Sequence, residues 1–194
     1  MRGSGIKTKD WPARTRRSVR ALLAWLTAAM LLSLAIASPA QAAKAAQAAG
    51  AASLPLALDV SGKIQRTTDA AHTVYHFDQA ALLDMPLHAI STSTTWTPKS
   101  TFQGPALADI LKTVGAEGSE VEVHTFDDYT YTLPVADAER YGVVVAYSMN
   151  GKRLTLADFG PLFMIYPRDQ YPAELTGSEA DSKFIWQIKA LVIK

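Results

Sequence analysis

The chain has 194 residues and no cysteine. That absence excludes disulfides, thiol nucleophiles and thiolate metal ligands, so the core must stand on packing and hydrogen bonding alone. The sequence also lacks a glycine-rich phosphate loop and a Gly-x-Ser-x-Gly elbow, which removes P-loop nucleotide chemistry and the α/β-hydrolase triad. Ser148 and Ser178 stand as nucleophile candidates without a supporting histidine and aspartate nearby in sequence. His72, His76, His88 and His124 are scattered and come with no His-x-x-Glu frame, so no closed metal site is expected from them. The pair His72 and His76 is expected to share one face whether that stretch is helix or strand. Beyond residue 42 there is no basic run and no basic patch interleaved with aromatics, so the footprint of a nucleic-acid binder is missing.

What is present begins with a leader. Lys7, Lys9, Arg14, Arg16, Arg17 and Arg20 form a positive segment, residues 21–37 are continuously apolar, and Ala40-Gln41-Ala42 supplies the small residues a signal peptidase accepts. The apolar stretch falls short of the roughly 20 residues a spanning helix needs, so residues 1–42 read as a cleaved signal peptide and the protein as periplasmic or otherwise exported. Thr15-Arg16-Arg17-Ser18 resembles the start of a twin-arginine signal, with Val19 and Arg20 departing from it. Cleavage would leave 12 basic and 17 acidic side chains, so the domain itself is mildly acidic. Residues 43–53 are mostly alanine with no amphipathic face, and read as a tether. The folded domain is expected over residues 54–194, about the size of one ordinary domain.

From residue 54 the pattern alternates between period 2 and period 3.6. Residues 56–64 and 73–77 predict strands joined through a polar turn at 66–71, and Asp78 is placed to cap a short helix ending near Leu83. Residues 87–95 return to alternating β-branched character. Pro105 at a helix start, Ala106, Leu107, Ile110 and Leu111 on one face, and Gly115 past the end predict a well-bounded helix. Residues 121–126 and 129–133 flank Asp127-Asp128, which reads as a hairpin or a tight bend. A short helix at 136–141, a buried strand at 143–148, a tight turn at Asn150-Gly151, and closing strands at 162–166 and 184–193 complete a mixed α+β domain, with no doubly wound parallel sheet.

Three segments in order resemble a known family. Phe102-Gln103-Gly104-Pro105-Ala106-Leu107-Ala108-Asp109-Ile110-Leu111, then Gly115, is similar to the W-x-G-x-x-L-x-x-L-L…G segment of the sulfite-oxidase-type molybdopterin-binding domain. Ala146-Tyr147, Asn150-Gly151, Leu154, Gly160-Pro161-Leu162 and Tyr166-Pro167 resemble its A-Y…N-G-x-x-L…G-x-P block, and Lys183 to Ile188 with Trp186 resembles its closing strand. The resemblance spans about residues 54–194 and is nearest to short, single-domain, exported members. It implies a mixed-sheet α+β fold of that type, an oxidoreductase lineage, and molybdopterin as the possible cofactor.

One departure bears directly on activity. In catalytic members a cysteine shortly before the W-x-G segment ligates molybdenum, and the resemblance puts its counterpart near Thr92, within Ser91 to Thr95, which reads STSTT. A thiol ionises readily beside a metal and its soft sulfur suits such a centre; a hydroxyl does neither easily. Another class of molybdenum enzymes uses a serine oxygen, so hydroxyl ligation stays open as an alternative. The plainer reading of STSTT is a strand with half-exposed threonines. The family's arginines for the cofactor phosphate are represented by Lys152, Arg153 and Arg168, whereas Phe163 replaces the arginine after Gly-Pro-Leu.

The resemblance gathers Trp96, Asp127, Asp128, Tyr129, Tyr166, Arg168, Asp169 and Tyr171 on loops around the former cofactor mouth, with Arg153 nearby. Aromatics with a few convergent polar groups suit a small ligand or a peptide edge. Tyr129 and Tyr166 are equally well read as core packing, Arg168-Asp169 as a local ion pair, and Asp127-Asp128 as turn formers rather than ligands for a hard cation. Two functions are therefore expected: a non-catalytic exported module that binds a small molecule or an envelope partner, or a periplasmic molybdopterin-dependent oxidoreductase with a non-cysteine metal environment. The missing ligand favours the first.

Overall fold

The computed structural model describes residues 54–194. The expected signal peptide (1–42) and tether (43–53) lie outside the described residues. In order, the elements are β1 (Leu58–Gly62), β2 (Val74–Phe77), α1 (Gln79–Asp84), β3 (His88–Thr92), β4 (Ser100–Gly104), α2 (Leu107–Val114), β5 (Glu120–Thr125), β6 (Thr130–Pro134), α3 (Ala136–Arg140), β7 (Val144–Ala146), β8 (Ser148–Met149), β9 (Lys152–Arg153), β10 (Phe163–Ile165), α4 (Ser178–Asp181) and β11 (Ile188–Ile193). A short 3₁₀ turn, Leu156–Asp158, precedes β10.

Three sheets share one core. The largest has the order β2-β1-β11-β5-β6 and is antiparallel except where β1 runs parallel to β11. A second, of order β3-β4-β8-β9, is antiparallel throughout, and β7 and β10 form an antiparallel pair. This is a mixed α+β architecture, as expected. Leu58 and Val60 of β1, Val121 and Val123 of β5 and Leu191 and Ile193 of β11 alternate inward and bury their side chains against helix α2 and its surroundings.

The helices carry the local signals that predicted them. Asp78 caps α1, its carboxylate accepting from the Ala81 amide at 2.8 Å. In α2, Leu107, Ile110, Leu111 and Val114 recur at helical spacing and are all buried, each contributing about 1.5–3 kcal/mol over exposure. Gly115 ends it in the left-handed region at φ 64, donating its amide back to Leu111 and Lys112. At the β8–β9 turn, Asn150 and Gly151 both take positive φ, 52 and 75, as a tight hairpin demands.

The structure departs from expectation at three places. The segment 143–148 does not form one strand: β7 pairs with β10, and after Tyr147 the chain changes partner so that β8 pairs with β4. The final strand begins at Ile188 rather than 184, because Gln187 has φ 56 and turns residues 184–186 aside, where Trp186 bridges to Phe163. Residue His72 sits in a turn at φ 54 ahead of β2, so it shares no strand face with His76. Among the described residues no helix is long and apolar enough to cross a membrane.

Gly104 holds the second and third sheets together. A Cβ there would lie 2.2 Å from the Val145 carbonyl oxygen and 2.8 Å from the Ala146 Cα, both backbone atoms that cannot rotate away. Gly104→Ala is expected to destabilise the domain by about 3 kcal/mol, read as a lower urea midpoint with an unchanged m-value.

Candidate functional site

Strand β3 ends at Thr92, near which the sequence resemblance puts the family's metal ligand. Thr92 is fully buried, and Thr94 nearly so, in contrast to the half-exposed strand expected of STSTT. Thr94 is satisfied locally by the Thr97 hydroxyl at 2.9 Å, and the burial of Thr92 is compensated by a closed exchange with the loop after β10. The Thr92 hydroxyl donates to Asp169 Oδ1 at 3.1 Å and accepts from the Asp169 amide at 3.1 Å. The same carboxylate oxygen takes the Ser93 amide at 3.1 Å and the Ser93 hydroxyl at 3.0 Å, while Oδ2 faces the Lys99 ammonium at 3.1 Å. Chiefly through the Ser93 amide, and next the Lys99 ammonium, the Asp169 carboxyl is held down to about 2.

Beside this clasp lies a cleft of about 310 Å³. Trp96, Tyr129, Phe184 and Trp186 supply its apolar surface, and Thr125, Asp127, Asp181 and Ser182 its polar groups. Trp96 and Trp186 meet edge to face with centroids 4.5 Å apart. Phe184 is buried, whereas Trp96 and Tyr129 are 42% and 46% exposed. Asp127 sits at the β5–β6 turn, where its Oδ1 accepts the Thr125 hydroxyl and the Tyr129 amide, the latter at 3.4 Å; the hydroxyl first and the amide second lower its pKa.

The cleft floor is fixed from behind. Arg168 lays its guanidinium 4.5 Å from the Phe184 ring centroid, pairs with Asp181, and donates to the Thr95 hydroxyl at 3.2 Å. Its Nε is buried without a partner. One residue before Phe184, Lys183 donates to Asp137 Oδ2 at 2.8 Å, and the Tyr166 hydroxyl reaches the same oxygen at 3.1 Å. Burial, above all, and the Asp137 charge push the Tyr166 phenol up.

Of the residues singled out from sequence, Trp96, Asp127 and Tyr129 line the cleft, with Arg168 beneath it and Asp169 in the clasp. Asp128, at φ 63 and largely exposed, turns outward to pair with Lys189 at 2.9 Å. Tyr166 is buried in the core and Tyr171 packs on Tyr141, so neither borders the cleft. Arg153 is exposed, bonds Gln79 Oε1 at 3.0 Å and lies over Tyr147. The adjacent Arg168 and Asp169 do not pair with each other; each is drawn to a different partner, Asp181 and Lys99. Sequence reasoning missed Thr125, Asp181, Ser182, Phe184 and Trp186 as lining residues. The Phe-x-Trp alternation at 184 and 186 was the available signal, masked by its reading as part of the last strand.

The mixed five-stranded sheet, the antiparallel sheets joined at Gly104 and the buried β3 terminus define an α+β domain. The profile of the oxidoreductase molybdopterin binding domain matches residues 64–170, and the chain belongs to that family. Among solved structures, the crystal structure of the sulfane dehydrogenase SoxCD from Paracoccus pantotrophus superposes with a TM-score of 0.50 at 16% identity, over 71% of this chain and 37% of that one. The likeness is one of fold, and this chain spans little more than a third of that protein's length. No curated protein matches by sequence.

The donor set at Thr92 does not fit molybdenum ligation. To bind as an anion the hydroxyl would surrender the proton it shares with Asp169, placing an alkoxide 3.1 Å from a carboxylate oxygen whose charge is already stabilised. Nor do the basic residues form a phosphate cradle. Arg153 bonds Gln79 and Arg168 pairs with Asp181, and Phe163, where the resemblance implies an arginine, is fully buried against Phe102, Phe159 and Trp186. Among the described residues no group of three His, Asp or Glu side chains converges to hold a metal ion.

Two variants test the clasp. Thr92→Val, which keeps the shape and deletes the hydroxyl, should cost about 1–3 kcal/mol in denaturant unfolding by leaving the Asp169 amide unpaired. Asp169 has a folded pKa depressed below the unfolded value near 3.9, so its contribution is complete above about pH 5 and is lost as pH falls toward 2. Asp169→Asn should therefore be less stable than the native protein at pH 7, with the gap in melting temperature closing between pH 5 and pH 2.

Proposed function

We propose that this chain is an exported, non-catalytic member of the molybdopterin-binding domain family that uses the aromatic cleft to bind a small ligand. The observation that carries the reading is the Thr92–Asp169 exchange: the position a metal ligand would need is spent on internal hydrogen bonding. The cleft supports the ligand part of the reading. At about 310 Å³ it falls at the lower end of the roughly 300–1,000 Å³ of small-molecule sites, and its apolar walls with a few polar groups are typical of them. Export rests on the leader and its Ala-x-Ala site.

The deciding experiment expresses the full chain in a bacterium that makes molybdopterin, purifies the protein from the periplasmic fraction, and measures metal by elemental analysis together with the fluorescent oxidised pterin. The expected result is recovery from the periplasm with molybdenum far below one atom per chain and no released pterin. Stoichiometric molybdenum with pterin would instead identify a redox enzyme with a hydroxyl or solvent in place of the thiolate, and Thr92→Ala would then abolish its activity.

A further inference from the structure

The charges around the cleft do not cancel. Of the two acids that line it, Asp181 is paired with Arg168, while Asp128, next to Asp127 but outside the cleft, is paired with Lys189. Asp127 has none. Among the described residues no lysine, arginine or histidine nitrogen comes within ion-pair distance of it, and only Oδ1 receives hydrogen bonds, from Thr125 and the Tyr129 amide. No lining residue is basic. Arg168 is turned to Phe184, Asp181 and Thr95, and Lys189 is bonded to Asp128, acting on Asp127 only through space. A carboxylate with an unengaged oxygen thus stands at the rim of a cleft walled by Trp96, Tyr129 and Trp186.

Aromatic faces attract cations through the negative potential of the ring, most strongly for tryptophan, and the attraction grows when the cation leaves water. A hydrated ammonium such as lysine's gives up strong hydrogen bonds on entering such a box, whereas an alkylated one presents methyl groups and gives up little. The same walls repel anions, because they offer ring faces and two carboxylates. We propose that the cleft binds a small alkylated ammonium group, enclosed by Trp96, Trp186 and Tyr129 and neutralised by Asp127. This assignment rests on the ligand-binding reading above and commits it to a cationic ligand.

The site carries its own reporter. Of the four tryptophans, Trp11 and Trp25 precede residue 54, and the two in the described domain, Trp96 and Trp186, both line the cleft. Choline is the probe, 3,3-dimethylbutan-1-ol its neutral counterpart of the same shape, and glycerol a polar control, with binding followed by tryptophan fluorescence and calorimetry on the full chain. Choline should change the fluorescence saturably and bind at least about tenfold more tightly than the neutral alcohol. Trp96→Leu should weaken choline about tenfold, and Asp127→Asn, which keeps a turn-forming residue, about fivefold with a reduced dependence on salt.

Equal affinity for the charged and neutral probes would overturn the cationic assignment while leaving a ligand-binding cleft. Failure of both probes to bind would overturn it too, and the molybdenum and pterin measurement then decides the broader reading independently. A further arm separates sources of the same group: cosedimentation with phosphatidylcholine but not phosphatidylglycerol vesicles assigns the ammonium to a lipid headgroup, and binding of free choline alone assigns it to a solute.

Discussion

The exchange between Thr92 and Asp169 is the interaction on which the rest of the site depends. It joins residues 77 apart in sequence, pinning the end of β3 to the loop after β10. With Asp169 held there by Thr92, Ser93 and Lys99, its neighbour Arg168 is directed the other way, beneath Phe184 and onto Asp181. Neutralising Asp181 is what leaves Asp127 as the acid at the cleft without a cation. One pair of hydrogen bonds thus both engages the buried end of β3 and sets the charge of the neighbouring surface.

Much of the fold was legible because its elements carry local signals. Asp78, the Pro105 to Gly115 helix and the Asn150-Gly151 turn are positions where capping, helical spacing or positive φ demands a particular residue type, and those demands act over a few residues. Misreadings arose where tertiary contacts overrode local pattern. Residues 143–148 are apolar and β-prone throughout, yet nothing in their period shows that the chain exchanges one sheet for another at Tyr147. Gln187 has an unremarkable side chain, and its positive φ follows from its backbone bonds to Phe159 and Phe126.

The site was less legible than the fold, for the same reason. Trp96, Asp127 and Tyr129 could be grouped from the family resemblance, but the pairing of charges could not. Adjacent opposite charges at 168 and 169 suggested a local bond, and long-range partners took each of them instead. STSTT reads as a surface strand by composition, since hydroxyl-bearing residues are tolerated in burial only when every hydroxyl is satisfied, and for Thr92 that satisfaction came from Asp169, far along the chain. The geometry of the sheet junction is clearest at Gly104, where the requirement for glycine is set by backbone proximity, independent of any cofactor.

Lys183, Asp137 and Tyr166 sit on the far side of the cleft floor, and their shared hydrogen bonds tie the residue beside Phe184 to helix α3 and to the exit of β10. The floor is therefore ordered by folding itself. An incoming molecule would have little left to immobilise there, because the entropy of fixing that surface has already been spent. Under the proposed ligand-binding role, selection would fall to the solvent-facing Trp96 and Tyr129, and substitutions at those two positions would retune what is recognised without disturbing the domain beneath.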